Sequence, residues 1–582
     1  GIIKSISIAN NNLVTVDQAD AGADFAGANM STNTTASGDR YYTFDEGFEP
    51  NKTDGFMYGF LSTDNYSAGI FSNSEAEGDK RITLNNGTDT MGMTSSVWYY
   101  EQGDKAAQNY VNSHSGTTYP TSELPWVKVA IADDVNGDGT VDWNDGAIVT
   151  RDILNVPQGS EDMKDIVAYR IVMNFGSEVT NPYAQTADNV KKVSLITDGL
   201  PQALLLKGYG NEGHDSANSE YADVAEKEGG IEGFRELIKI AHEYDTEIGI
   251  HINAQESYPE SKSFNDRMVQ GMGNGWGWLD QSQVIDKLWD LSSGARWGRL
   301  VQLYDRINGT DFLNKDWEKG EYVGNPAETG AVAASEEEVA ADAANRPDNM
   351  DFIYLDVWYQ DAWETRNVAR QINALGWRFS TEFPNEGEYD STWSHWATEI
   401  SYGGTATKGI NSDIVRFLRN SQRDISPNNG PSKGGVMDNP LLGGYVTEGF
   451  EGWGNEQDFN TYIETLYLEN LPTRFLMHYD VTDWENYAEG ESPVGNHEKQ
   501  ITLKNAEGDT VVVTRHADQR GDTVIEREIT LNGAKVLDDD SYLLPWTTDE
   551  GEEKLYLYSL DGGSVTLDVI EDWQGESVTL YK

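Results

Sequence analysis

The 582-residue sequence predicts a multidomain fold: an N-terminal β-sandwich, a central (β/α)8 TIM-type barrel and a C-terminal all-β domain. Three changes of pattern carry that expectation. Short strand-like runs broken by Gly, Asn, Asp and Ser occupy 1–185. Apolar runs then alternate with helical periods over 186–484, and strand patterning returns over 485–582. A barrel alone takes about 250 residues, so the length calls for flanking domains.

In the first part, Ile2–Ile8, Tyr41–Phe44, Gly55–Leu61 and Ser95–Tyr100 read as sandwich strands. Near its end lies Asp134-Val-Asn136-Gly-Asp138-Gly139-Thr140-Val-Asp142-Trp-Asn144-Asp145. Oxygen side chains fall at loop positions 1, 3, 5, 9 and 12, with Gly at 6 for the sharp turn and the Thr140 carbonyl at 7. That spacing wraps hard oxygens around one point and predicts a structural calcium ion. A single loop staples a domain rather than senses calcium, and a dockerin would need a second copy. An Asp/Asn/Gly-rich turn that binds nothing is the bland alternative.

The barrel pattern opens with Ala203–Lys207, the amphipathic Ile231–Tyr244 and Glu247–Asn253. It continues with Phe352–Val357, Glu364–Leu375 and Trp377–Glu382. Trp317–Asn349 interrupts it, with Ala331–Ala344 expected as a solvated helix or loop without chemistry. Beyond Glu485, Gln500–Leu503, Thr510–Arg515, Thr523–Leu531 and Lys554–Leu560 alternate as strands.

Composition narrows the partners. The 98 acidic against 42 basic residues leave a formal charge of −56, which disfavours nucleic acid. No cysteine is present, so disulfide and thiolate chemistry are excluded. No apolar run of about 18 residues is found, so no membrane span is expected. The start at Gly1-Ile2-Ile3 carries no signal core and reads as part of something longer.

Phe352–Asp356 delivers an acid at the end of one apolar run and Arg378–Glu382 another at the end of the next. Residues at C-terminal strand ends face the mouth of a barrel. Asp356 and Glu382 are therefore expected as neighbouring carboxylates of a retaining glycosidase. Each alone could cap a helix or pair with Arg. Together, among Trp358, Trp363, Trp377 and Phe383, they favour catalysis.

His214 and Asp215, after the first barrel run, could bind sugar hydroxyls. Asn274-Gly-Trp276-Gly-Trp278 suggests a lid that folds over a sugar. His251 and Asn253 end a strand run, with Glu256 beyond. A lone His without a second ligand at metal spacing reads as a hydrogen-bonded wall residue.

Taken together, Tyr354-Leu-Asp356-Val-Trp358, Gly376-Trp-Arg378-Phe-Ser-Thr381-Glu382, the Lys207–Asp215 loop, Gly275-Trp-Gly-Trp278 and the Asp134 loop resemble glycoside hydrolase family 101. These are the endo-α-N-acetylgalactosaminidases. The resemblance runs from about residue 1 to at least Leu471–His478. It implies an extracellular or cell-surface bacterial enzyme that releases Galβ1-3GalNAc from Ser or Thr of mucin-type glycoproteins with retention; a monomer is expected. It also implies a mutarotase-like sandwich, Asp356 as nucleophile and Glu382 as acid/base. By the same resemblance His214 and Asp215 hold the disaccharide, and Trp276 and Trp278 form the lid; Asn253 and Asn274 are further candidate sugar-binding residues. The calcium set becomes Asp134, Asn136, Asp138, Thr140 and Asp145. Two departures stand out: the Trp317–Asn349 insertion, and Met477 where a Gln is expected, which would remove a sugar hydrogen bond and alter glycan-core preference. An exo-acting α-galactosidase or α-N-acetylgalactosaminidase-like barrel and a calcium-stabilised glycan-binding adhesin are the rival readings.

Overall fold

The computed structural model describes residues 5–8, 12–30, 38–74, 80–99, 124–176, 179–277, 280–313, 331–358, 362–383, 387–395, 412–423, 449–453, 458–485, 498–517, 525–548, 550–575 and 577–580. All structural statements below concern these residues.

Two larger antiparallel sheets, with a short pair of Ser5–Ile6 and Trp98–Tyr99, form the N-terminal domain. One has five strands, in the order Val127–Ala132, Tyr66–Ser72, Tyr58–Thr63, Asp24–Asn29 and Gly38–Thr43. The other has four, in the order Val14–Asp17, Thr90–Ser95, Ile82–Asn86 and Thr53–Phe56. Val14–Asp17 alternates buried and exposed, as a strand with one wet face should. Tyr58–Thr63 is buried throughout because both of its faces are covered. Leu61 packs into the sandwich core with Phe25, Phe56 and Met93. Tyr58 and Phe60 face the other way, into a cluster shared with Trp143 and Phe417.

Helix α1 (Trp143–Arg151) joins the three parts of the molecule. Asp142 caps it and Asp145 returns the bond, a capping box that satisfies the free N–H groups of the first turn. The Trp143 ring lies 6.4 Å from Phe60 and 5.1 Å from Phe417. Arg151 donates to the carbonyls of Phe417 and Val481.

The central sheet is parallel and six-stranded: β1 (Ala168–Met173), β2 (Gln202–Lys207), β3 (Thr246–Asn253), β4 (Phe352–Asp356), β5 (Arg378–Thr381) and β6 (Trp393–Ser394), in that order. β1 pairs in parallel with β2, so the central sheet begins ahead of residue 186. Its strands are buried at nearly every position because both faces are covered. Leu204, Leu206, Ile248, Ile250, Ile353 and Leu355 meet the helices α2 (Tyr183–Ile196) and α3 (Gly230–His242) and their neighbours. The alternate residues Tyr169, Ile171, Leu205, Phe352, Tyr354 and Trp393 make a separate inner cluster. One face outward to helices and one inward to a second core is the pattern of a curled sheet.

Met477 belongs to that inner cluster and is fully buried. The Ala-rich stretch forms a helix, one of the two expected forms, but it is packed rather than solvated. Glu336–Ala343 is a helix started by a Ser335–Glu338 capping box, and its Val339 is fully buried in the outer core. Tyr304 donates to Asp342 at 2.7 Å and Trp297 to the Ala334 carbonyl at 2.7 Å. It is a packed element; 314–330 lie outside the described residues.

A seven-stranded antiparallel meander closes the chain: Asp480–Trp484, Glu498–Lys504, Thr510–Ala517, Ile525–Leu531, Ala534–Asp538, Ser541–Thr547 and Glu553–Ser559. Its first strand pairs with the second, so the sheet starts ahead of residue 485. No described helix is long and apolar enough to cross a membrane.

Candidate active site

The inward positions at the C-terminal ends of β2 to β6 converge. β3 and β4 pair His251 with Tyr354 and Asn253 with Asp356. β4 and β5 pair Leu355 with Thr381, so Asp356 and Glu382 follow on neighbouring strands about 4.8 Å apart. Both acids are 6% exposed.

Asp356 is held at both oxygens. The Tyr354 hydroxyl donates to Oδ1 at 3.0 Å, and His251 Nε2 lies 3.2 Å from Oδ2. The same Tyr354 oxygen lies 3.0 Å from His395 Nδ1. Burial works to raise the Asp356 pKa, but His251 and then Lys207 and His214 outweigh it, and the carboxyl is held well below the usual carboxylate range. It is therefore an anion at neutral pH.

Glu382 is positioned by the chain of its neighbour. The Val357 N–H donates to Glu382 Oε2 at 2.9 Å. Val357 has φ +51°, a strained conformation for a β-branched residue and one that recurs at functional sites. The turn directly after the first acid thus fixes the second.

Lys207 ends β2, and Gly208 follows at φ +96°. A Cβ there would lie 2.2 Å from the Asn174 carbonyl oxygen and 2.6 Å from the His214 nitrogen, so only glycine lets the loop fold back. The fold-back brings His214 Nε2 to 3.5 Å from Asp215 Oδ2, and Asp215 Oδ1 to 3.9 Å from His251 Nε2. Burial, then His251 and Lys207, push the His214 pKa well down, so the ring is neutral at neutral pH. Burial raises Asp215, with His251 opposing it and the charge of Asp356 adding to it. His214, Asp215 and His251 could together hold a metal ion. Placed against an anionic Asp356, the same donors equally suit sugar hydroxyls.

The structure adds residues that sequence reasoning missed. Lys207 Nζ sits 3.8 Å over the Trp453 ring, which also meets His214 and His395 at 6.1 and 5.5 Å. His395 stacks on Trp393 at 5.3 Å. His251 is a wall residue as expected, but its contact with Asp356 was not foreseen. Its two-residue spacing from Asn253 was the available signal, since i and i+2 share a strand face.

Other expected residues are placed differently. Asn253 lies opposite Asp356, yet its side-chain oxygen accepts from the N–H groups of Gln255 and Glu256 at 2.8 and 2.9 Å. That oxygen holds the turn after β3. Asn274 and Trp276 lie on the strand Val269–Gly277, which forms a hairpin with Gln281–Ile285. This hairpin joins Glu256–Ser257 just past β3. Trp278 lies outside the described residues.

The Asp134 loop lies elsewhere, beside the C-terminal sheet, where Asn136 donates to the Thr482 carbonyl at 3.2 Å. Asp134 accepts from Gly137 and Gly139 at 2.8 and 3.0 Å, and Asp138 from Thr140 at 2.7 Å. Asp145 accepts from Val135 and Asp142 at 2.8 and 3.0 Å. These bonds keep three carboxylates and an amide on one tight loop, whose oxygen chemistry suits calcium.

An ionised carboxylate in a basic wall, beside a second buried carboxylate on the next parallel strand, defines a glycosidase-type centre on an α/β sheet. Residues 144–327 and 327–463 match the family model for endo-alpha-N-acetylgalactosaminidase, glycoside hydrolase 101. Residues 1–143 match a galactose mutarotase-like fold domain, and 469–582 the glycosyl hydrolase 101 β-sandwich domain. The chain belongs to glycoside hydrolase family 101.

A Renibacterium salmoninarum protein named for the same activity is 31% identical over 614 residues, covering 100% of this chain. The chain spans 35% of that relative. Among solved structures, a quadruple mutant of the α-N-acetylgalactosaminidase NagBb of Bifidobacterium bifidum matches 90% of this chain and 83% of its own, at 12% identity and TM-score 0.47. The GH36 α-galactosidase AgaA of Geobacillus stearothermophilus matches 95% and 75%, at 10% identity and TM-score 0.46.

Proposed function

We propose that this chain is the catalytic part of a retaining endo-α-N-acetylgalactosaminidase that frees Galβ1-3GalNAc from Ser or Thr of mucin-type O-glycoproteins. The observation that carries the proposal is the Asp356 carboxylate, kept ionised by His251, Lys207 and His214 beside a buried Glu382. Family membership supplies the glycan and the linkage.

An Asp356 oxygen attacks the anomeric carbon of GalNAc. The bond to the Ser or Thr oxygen breaks, and that oxygen takes the proton of Glu382. The resulting glycosyl ester is opened by water, whose proton passes to Glu382 as its oxygen bonds the anomeric carbon. Asp356 leaves as the carboxylate, and two inversions give net retention. His214 and Asp215 are the sugar-binding pair in this reading, and the Val269–Gly277 hairpin with Trp276 and Trp278 is the lid. The six parallel strands are read as part of a (β/α)8 barrel. The enzyme is read as extracellular and monomeric.

Asp134, Asn136, Asp138, Thr140 and Asp145 would hold calcium. The ion would supply positive charge that ties this loop to the start of α1, away from the reaction. The reading is tested by Asp356→Asn, which should abolish release of disaccharide from a desialylated glycopeptide. An active, folded variant would remove Asp356 from the chemistry.

A further inference from the structure

A cavity of about 1070 Å³ contains neither Asp356 nor Glu382. It lies between the underside of the central sheet and the C-terminal domain. Lys164, which lines it, precedes β1, and Asp198, which holds its Lys554 at 2.9 Å, precedes β2. Those are the N-terminal ends of the parallel strands, opposite the end that carries the acids. The cavity opens to solvent, and its volume is that of a ligand pocket at a domain interface.

Its lining combines two kinds of surface. Trp546 and Trp573 both border it, with the His478 ring edge-on to Trp546 at 5.0 Å. Between two strand turns, Asn505 and Asn532 each donate to Asp509 at 2.9 Å, and the Thr510 N–H donates to Asn532 Oδ1 at 2.9 Å. The Asn532 and Asn505 amides hold the Asp509 carboxyl below its ordinary range, so it stays an acceptor. Indole faces suit the C–H faces of a pyranose, and fixed amide and carboxylate groups suit its hydroxyls. Acidic side chains outnumber the two lysines, Lys164 and Lys554, among the lining residues. That balance disfavours anionic ligands such as sialylated or sulfated sugars.

We propose that this cavity is a second, non-catalytic binding site for neutral, unsialylated oligosaccharide. The glycan class rests on the proposed substrate. On a glycoprotein carrying many glycans, one chain held here raises the effective concentration of others at Asp356 without any new contact there.

The test uses Trp573→Ala, a half-buried position outside the core, with Trp573→Phe as the conservative control. In an Asp356→Asn background, retention on immobilised desialylated mucin should fall about tenfold with Ala and return with Phe. With Asp356 intact, Trp573→Ala should leave hydrolysis of a soluble core-1 aryl glycoside unchanged. Unchanged retention with Ala would overturn the proposal, as would equal retention on fully sialylated mucin. The retention assay needs no turnover, so it decides the cavity even if the aryl glycoside is not cleaved by any variant.

Discussion

The two acidic centres of this chain gather carboxylates by opposite means. At the C-terminal strand ends, Asp356 meets His251, Lys207 and His214, which the fold itself supplies, and its pKa falls. In the Asp134 loop the acids meet mainly backbone N–H groups and each other. There burial pushes Asp142 up to about 6, with the Asn144 contacts lowering it and Asp145 and Asp138 raising it again. A buried acid beside a lysine and imidazole donors of its own can work as an anion. Acids without such partners suit a cation from outside.

That contrast can be broken at either centre. The largest effect is expected at the nucleophile: Asp356→Asn should lower turnover roughly 10⁴-fold or more, with the melting temperature nearly unchanged. Glu382→Gln should lower it by roughly 10²–10⁴-fold on a glycopeptide, and by less on an aryl glycoside whose leaving group needs little protonation. A loss that is equal on both substrates would argue against Glu382 as the acid.

Tyr354→Phe should cost about tenfold in kcat with little change in KM, because it removes one donor from the charged carboxylate. The sign is fixed by the same contact. Asp356 must be ionised to attack, and loss of a donor to its anion raises its pKa. The acid limb of the pH profile therefore moves to higher pH. An unmoved limb would limit Tyr354 to packing.

The smallest effect belongs to the loop. Calcium at a hundred times its Kd adds about 2.7 kcal/mol, worth roughly 5–10 °C in melting temperature if the N-terminal domain melts as its own unit of about 150–250 residues, with kcat unchanged on a small substrate. In the metal-free chain the raised pKa of Asp142 favours folding below its ordinary value of 3.8, and that contribution is lost as pH rises through about 6. Calcium should flatten this decline. The check is a series of melting curves from pH 4 to 7, with calcium and with chelator.

Much of this was legible in the sequence, because strand ends and loop spacing are local. Asp356 and Glu382 each close an apolar run, and the Asp134 loop carries its ligands within twelve positions. What was not legible depends on distant pairing. Ala168–Met173 reads like a sandwich strand, and only its parallel partner Gln202–Lys207 assigns it to the central sheet. Trp453 reaches Lys207 across the fold, and His395 reaches Asp356 through Tyr354. Asn253 looks free in sequence, since nothing there announces that its oxygen holds the next turn.

The central claim is a double displacement at Asp356 that frees a disaccharide whole. Proton NMR of a desialylated core-1 glycopeptide during the first turnovers tests it most directly. The account predicts free Galβ1-3GalNAc appearing first as the α-anomer, followed by mutarotation. Initial β-anomer, or release of a monosaccharide alone, would contradict it.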